Sequence, residues 1–261
     1  MKFLIISSKE DMAGVSIHNL LKKEYPEIEA VLIDKETIFA DSLDRDYPIF
    51  DFFIFATRHQ SQQHRKTFSL HAPGNWLKAD YGGQAGKVCN TSAFFLKYLF
   101  QVLDQEAKNK SDFEVTLEVT HHGPFIKKPC VFIEIGTTIE EWEDKEAARI
   151  ICKTIKKAIS NFEKEVVSKN WVSSIAIGGL HYCPAFNKIQ ISSEYAISHI
   201  IPQYVFPITE EVIKEAISKT NEPIKTVIID WKGLKSEEKK VTMEICEKIG
   251  LKVVKSSDIN K

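Results

Sequence analysis

Phe50-Asp51-Phe52-Phe53-Ile54-Phe55-Ala56-Thr57-Arg58-His59 is the stretch that decides how this chain folds. From Phe52 to Ala56 every position is apolar. A strand with one wet face alternates apolar and polar residues, so an unbroken run marks a strand covered on both faces. Phe50–Ala56 therefore reads as a central strand. Central strands of this kind belong to sheets whose parallel neighbours are joined by helices.

The pattern on either side agrees. Lys2–Ile6 and Ala30–Ile33 read as strands, with a helix at Val15–Lys23 between them. Ala85–Lys108 reads as the clearest helix: Ala93, Phe94, Leu96, Leu99, Phe100 and Leu103 form a stripe, with Lys97, Gln101 and Asp104 opposite. Phe113–Val119 and Cys130–Ile135 read as strands. Thr138 followed by Glu141 predicts a capping box that opens one long helix to about Val167. Ser173–Ile177 is a strand ending at Gly178-Gly179. Helices are expected at Thr209–Lys219 and Ser236–Ile249, and strands at Lys225–Ile229 and Leu251–Val254. Residues 57–83 are polar and carry the turn signals Pro73-Gly74-Asn75 and Gly82-Gly83, so a long loop is expected. Pro184–Pro207 reads as an irregular insertion. The predicted fold is α/β, a three-layer sandwich with a mixed, mostly parallel sheet, in one domain spanning residues 1–261.

Composition sets the class. The chain has 261 residues, 43% of them hydrophobic and 27% charged, as ordinary globular proteins have. Disordered, collagen-like and coiled-coil chains are excluded. No apolar run approaches the roughly 18 residues of a membrane span. Met1–Ile6 is too short an apolar stretch for a secretory signal. The five cysteines are an odd, scattered set without a CxxC, which points to a reducing cytoplasm. With 35 basic and 36 acidic residues, no global attraction to DNA or RNA is expected, and any RNA contact must be a local patch.

The chemistry gathers at the histidines. Phe50–Ala56 runs into Thr57-Arg58-His59, Phe113–Val119 into Thr120-His121-His122-Gly123-Pro124, and Ser173–Ile177 into Gly178-Gly179-Leu180-His181-Tyr182-Cys183-Pro184. Ligands of open α/β sheets bind beyond the carboxyl ends of strands. If these three strands are parallel, His59, His121, His122 and His181 meet at one edge. The short Gly123–Pro129 connection instead predicts an antiparallel partner for the strand before it. Imidazole is a frequent zinc ligand, and it titrates near neutral pH. Glu134 lies inside the apolar run Val131-Phe132-Ile133-Glu134-Ile135, where a charge is costly unless paired or bound to metal. A single histidine at a strand end is ordinarily structural; three such segments together favour a site. No HExxH spacing is present. Gly82-Gly83-Gln84-Ala85-Gly86-Lys87 lacks the full phosphate-loop pattern and follows no strand. Arg65-Lys66 and Lys127-Lys128 flank histidine segments, where they could meet the phosphates of a polyanion.

Taken in order, Ser7-Ser8-Lys9-Glu10-Asp11-Met12-Ala13-Gly14, Thr57-Arg58-His59, Leu70-His71-Ala72-Pro73-Gly74-Asn75, Glu118-Val119-Thr120-His121-His122-Gly123-Pro124, Glu134-Ile135-Gly136, Trp142 and Gly178-Gly179-Leu180-His181-Tyr182-Cys183-Pro184 resemble the archaeal and plant type of D-aminoacyl-tRNA deacylase. The resemblance runs from residue 1 to about residue 235. It implies a phosphorylase/hydrolase-like fold and zinc-dependent hydrolysis of the ester that joins a D-amino acid to the 3′ end of tRNA. One or two Zn2+ per chain, and a monomer or homodimer in the cytoplasm, are expected. The resemblance, with the residue pattern, makes His59, His122, Glu134 and His181 the candidate metal ligands. His121 and His122 are the candidate catalytic residues. Arg58, His71, Asn75, Tyr182 and His199 are candidates for substrate contacts, and Arg65, Lys127 and Lys128 for tRNA contacts. Three other readings fit the residues: a metallohydrolase of a small amide or nucleoside, a non-catalytic tRNA- or metal-binding module, and a metal-free hydrolase with a histidine base.

Overall fold

The structure, a computed structural model, describes residues 1–62 and 64–259. In chain order the strands and helices are β1 (Phe3–Ser8), α1 (Met12–Glu24), β2 (Ala30–Ile33), β3 (Phe52–Gln60), β4 (Thr67–His71), β5 (Gly74–Asn75), β6 (Lys87–Val88), α2 (Ala93–Glu106), β7 (Glu114–Leu117), β8 (Cys130–Thr137), α3 (Ile139–Trp142) and α4 (Lys145–Val167). They continue with β9 (Val172–Ile177), α5 (Pro184–Ser192), β10 (Tyr195–Ile201), α6 (Glu210–Ser218), β11 (Thr226–Ile229), α7 (Ser236–Lys248), β12 (Lys252–Lys255) and α8 (Ser256–Ile259). The protein is α/β with mostly parallel pairing.

The strands divide between two main sheets. One has the order β2-β1-β3-β8-β4-β7 and the other β10-β9-β11-β12. In the larger sheet only the β8–β4 pairing is antiparallel. β3 lies inside that sheet, as its apolar run requires. Phe52, Ile54 and Ala56 join α1, α2 and α4 in the largest hydrophobic cluster, while Phe53 and Phe55 pack on the opposite face with Leu43, Cys89 and Ile126. Helices thus cover one face, and turns cover part of the other. The same large cluster takes in Ala176, Ile197 and Ile228 of the smaller sheet, so the two sheets share a core through α2 and α5. The opposite face of the smaller sheet packs on α6 and α7 through Ile213, Ala216 and Cys246. Among the described residues no helix is long and apolar enough to cross a membrane.

Several sequence expectations are corrected. Residues 57–83 are not one loop: β3 continues to Gln60, and β4 and β5 follow. Strand β4 hides in the sequence because it alternates. Its Phe68 and Leu70 enter the core, while Thr67, Ser69 and His71 are polar and look like loop. Helix α2 begins at Ala93 rather than Ala85, because Ser92 caps it by accepting from the Phe95 N–H at 3.0 Å. The Thr138–Glu141 capping box is present, but it opens only the single turn α3; Asp144 caps a separate α4. Residues 184–207 are not irregular, since they hold α5 and β10. β7 does run antiparallel to β8, but β4 lies between them. β9 belongs to the second sheet, so the three histidine-bearing strands do not share one parallel edge.

Phe95 joins the layers: its ring centroid lies 5.0 Å from Phe3, 4.7 Å from Phe52 and 5.1 Å from Phe162. Truncating a buried aromatic removes its transfer energy and leaves a cavity. Phe95→Ala is expected to lower unfolding free energy by about 3–5 kcal/mol. Urea unfolding checks this, and an unchanged midpoint would contradict the packing.

Candidate metal centre

Strand alternation builds the site floor. On the face of the large sheet away from the helices, Phe53 and Phe55 of β3 are followed by Thr57 and His59. On β8, Phe132 is followed by Glu134. β4 contributes Ser69 and His71 to the same face. In the ladders Glu134 lies opposite Thr57 on one side and Ser69 on the other. Both hydroxyls donate to its carboxylate at 3.0 Å. Apolar residues close the face at one end, and these polar residues line its carboxyl end. Gly136 sits opposite His59 in the β3–β8 ladder. A Cβ there would lie 3.0 Å from His59 Cβ, so the bare backbone leaves room for the imidazole.

The remaining groups arrive from two other directions. β7 runs toward the site from the opposite end and delivers Glu118, His121 and His122 just past its terminus. The turn after β9 delivers His181 and Tyr182. A short bridge locks the two segments together: the Val119 N–H donates to the His181 carbonyl at 3.0 Å, and the Cys183 N–H to the Leu117 carbonyl at 3.1 Å.

Two groups of ligand-type atoms result, His59–Glu118–His181 and His71–His122–Glu134, with the atoms of each group within 4.8 Å of one another. In the first, His59 Nδ1 is 3.2 Å from Glu118 and His181 Nε2 is 3.3 Å from it. The two rings approach to 3.5 Å between Nε2 atoms, and the Tyr182 hydroxyl is 3.2 Å from His59 Nε2. In the second, His71 Nε2 is 3.6 Å from Glu134 Oε2, and the His122 ring lies edge-on at 4.9 Å from His71. His59 Nδ1 also lies 3.4 Å from Glu134, which links the groups. The Nδ1 atoms of His71 and His122 face the carbonyls of Ala72 and Gly123 at 3.2 and 2.6 Å. A carbonyl only accepts, so each Nδ1 carries hydrogen and Nε2 is left as the ligand atom.

Burial makes this cluster electrostatically demanding. Glu118 and Glu134 are each only 3% exposed. Burial pushes Glu118 up to about 7, against the pull of His59. Burial also opposes ionisation of Glu134, but the facing imidazoles of His59 and His71 outweigh it and hold that carboxyl well below its usual range. Burial opposes a charge on His59, yet Glu118 and Glu134 together lift it to about 9. Burial and the neighbouring imidazoles depress the others: His122 to about 3, His181 to about 4, and His121 downward. Burial likewise opposes a charge on His71, but the facing Glu134 raises its pKa. The site therefore sets a charged His59 between two buried carboxyl groups, with neutral His121, His122 and His181 around them. His71 Nε2 and Glu118 Oε2 make no hydrogen bond, although charged neighbours lie within 3.6 and 3.2 Å. Imidazole nitrogens and carboxylate oxygens are zinc donors, and a divalent cation would compensate both carboxylates and engage the orphaned atoms. The residues fit zinc.

The floor opens into a cleft of about 840 Å³ lined by Arg58, His121, Tyr81, Ile38, Ile139 and Trp142 among others. Arg58 pairs with Glu36 at 2.7 Å and lies over the Trp142 ring. The Trp142 indole N–H donates to the His59 carbonyl at 3.1 Å. Asp11, within the Ser7–Gly14 motif, caps α1 by accepting from the Gly14 N–H, also accepts from the Arg58 backbone N–H, and so ties α1 to this wall.

The expected metal ligands His59, His122, Glu134 and His181 come together, but split between the two groups. His71, expected at the substrate, stands among the ligands. Glu118 completes the first group and is not among the residues expected from sequence, because in the alternating run Phe113–Val119 it falls in register with polar Glu114 and Thr116. Arg65 lies over the Tyr182 ring and pairs with Glu114. Asn75 is fully buried and donates to the Gly82 carbonyl, and His199 is buried with Nε2 on the Lys219 carbonyl. Neither lines the cleft. Lys127 and Lys128 precede β8, roughly 20 Å of strand away from Glu134, and are not brought to it.

Known proteins resemble this chain over nearly its whole length. A sequence profile described as D-aminoacyl-tRNA deacylase matches residues 47–254. The D-aminoacyl-tRNA deacylase of Archaeoglobus fulgidus is 34% identical over 278 residues, covering 99% of this chain and 98% of its own. That of Methanocaldococcus jannaschii is 32% identical, covering 96% and 98%. A crystal structure of a conserved protein described as of unknown function superposes with a TM-score of 0.89 at 31% identity, over 98% of this chain and 96% of that one. The chain belongs to the D-aminoacyl-tRNA deacylase family.

In chelator-treated protein the His59 ring is expected to stay protonated through neutral pH and to titrate near 9. Its folded pKa lies above the ordinary 6.5, so its ion pairing stabilises the fold fully below pH 6.5 and is lost as pH rises through 9. Glu118→Gln should lower the midpoint. Histidine NMR titration reads it directly, and a wild-type midpoint near 6.5 would contradict the charge cluster.

Proposed function

We propose that this member of the D-aminoacyl-tRNA deacylase family hydrolyses the ester between a D-amino acid and the 3′ oxygen of tRNA with water activated at the floor of the cleft, and that His59, Glu118 and His181, together with His71, His122 and Glu134, hold zinc there. The observation that carries the reading is the pairing of two ligand-type groups around buried carboxylates at the base of a cleft sized for a small ligand. Bound at such a site, zinc lowers the pKa of water to about 7 and polarises a carbonyl.

The chain's own groups do the rest. Glu118 and Glu134 orient the histidines, and the backbone carbonyls of Ala72 and Gly123 fix the tautomers of His71 and His122. His121 lines the cleft, and burial lowers its pKa, so it is neutral and able to accept a proton at neutral pH. It takes the proton from the attacking water and returns it to the departing 3′ oxygen, leaving free D-amino acid and tRNA. Arg58 and Trp142 form one wall of the substrate site. The Arg58–Glu36 pair offers both signs of charge to the substrate, including its α-ammonium group.

One observation favours a second reading. His59 lies between two carboxylates and is charge-satisfied as an imidazolium, as a metal-free site would need. The experiment separates the two. Wild-type protein should cleave D-Tyr-tRNA and leave L-Tyr-tRNA intact; a chelator should abolish cleavage and zinc restore it. Glu118→Gln should lower kcat/KM by about 100-fold. Cleavage that survives chelation would support the metal-free reading. Cleavage of neither ester would remove the deacylase reading.

A further inference from the structure

Tyr81 is a large aromatic left exposed on the loop that follows β5. Tyr81 is 58% exposed and lines the cleft. The loop that carries it is nevertheless held closely. The Gly123 N–H donates to the Tyr81 carbonyl at 2.9 Å, one residue beyond His122. Gly82 and Gly83 follow with φ of +73° and +79°, in the left-handed region. A Cβ on Gly82 would lie 2.0 Å from the Ile38 carbonyl oxygen, and one on Gly123 would lie 2.5 Å from Gly83 N. Buried Asn75 donates to the Gly82 carbonyl at 2.8 Å. Three chain segments thus meet through bare backbone at Ile38, Gly82-Gly83 and Gly123. The Gly82-Gly83 motif serves to place Tyr81 against the segment bearing His122, and it is no phosphate loop.

Ile38 lines the cleft beside Tyr81, and Ile139, 58% exposed, lines it as well. An apolar rim above a polar floor is a slot for a flat group attached to the reacting ester. In an aminoacyl ester of a terminal ribose, that flat group is the nucleobase. Rigid, exposed aromatic rings are the usual platforms for unpaired bases, because every base has a stacking face.

We infer that Tyr81 is the stacking platform for the 3′-terminal base of the substrate, preorganised by the contact of Gly82, Gly83 and Gly123. This inference rests on the substrate class proposed above. Tyr81→Ala should fold normally, with an unchanged thermal midpoint. It should raise KM about tenfold with kcat little altered, and Tyr81→Phe should recover most of the affinity. The rise should be equal for D-Tyr-tRNA and D-Ala-tRNA, because a base contact ignores the amino acid. A rise confined to D-Tyr-tRNA would place the ring against the amino-acid side chain and overturn the inference, as would an unchanged KM. Titration with AMP, followed by the Tyr81 ring NMR signals, tests the subsite without catalysis. Shifts that Tyr81→Ala abolishes support it, and absence of shifts in the wild type overturns it. If AMP binds at Tyr81 while neither D-ester is cleaved, the subsite stands and the deacylase reading falls.

Discussion

Two buried carboxylates, Glu118 and Glu134, within 3.4 Å of one imidazole nitrogen of His59 are the constraint on which the rest of this structure depends. Charges so far from water persist only if they are paired. Every nearby choice serves that need. Thr57 and Ser69 donate to Glu134, His181 sits on Glu118, and His71 faces Glu134. The remaining imidazoles are neutral, which leaves the cluster suited to a divalent cation that would replace protons as the source of positive charge.

Topology makes the pairing possible. Were the large sheet parallel throughout, its polar ends would all lie at one edge, and Glu134 would lack a partner on one side. Inserting β4 antiparallel between β8 and β7 places Ser69 and His71 opposite Glu134 and Phe132. It also lets β7 bring Glu118 and the His121–His122 pair in from the other end. The second sheet then contributes His181 and Tyr182 through the bridge to β7. The site is therefore a junction of three chain directions, closed by backbone hydrogen bonds rather than by one loop.

How much of this was legible follows from what each residue shows locally. Phe52–Ala56 announced a central strand because both faces are apolar. Glu134 stood out as a charge in an apolar run, and His59, His122 and His181 as histidines at strand ends. Glu118 was hidden because Phe113–Val119 alternates, and a carboxylate on an alternating strand reads as solvent-facing. β4 was hidden because its site face is made of Thr67, Ser69 and His71. The basic pair Lys127-Lys128 sits close to His122 in sequence, yet the chain carries it to the far end of β8. Such errors share a cause: residue pattern reports which face is buried, whereas the partner across that face is set by strand order. The expectation of zinc came from family resemblance, and the geometry supplies a donor set that fits it.

The most direct measurement is the zinc content of the purified, zinc-equilibrated protein, compared with Glu118→Gln and Glu134→Gln. Zinc is expected in the wild type and reduced zinc content in each variant, since each removes a ligand-type carboxylate from one of the two groups. Full zinc content in both variants, or none in the wild type, would contradict the account that the buried carboxylates exist to hold metal.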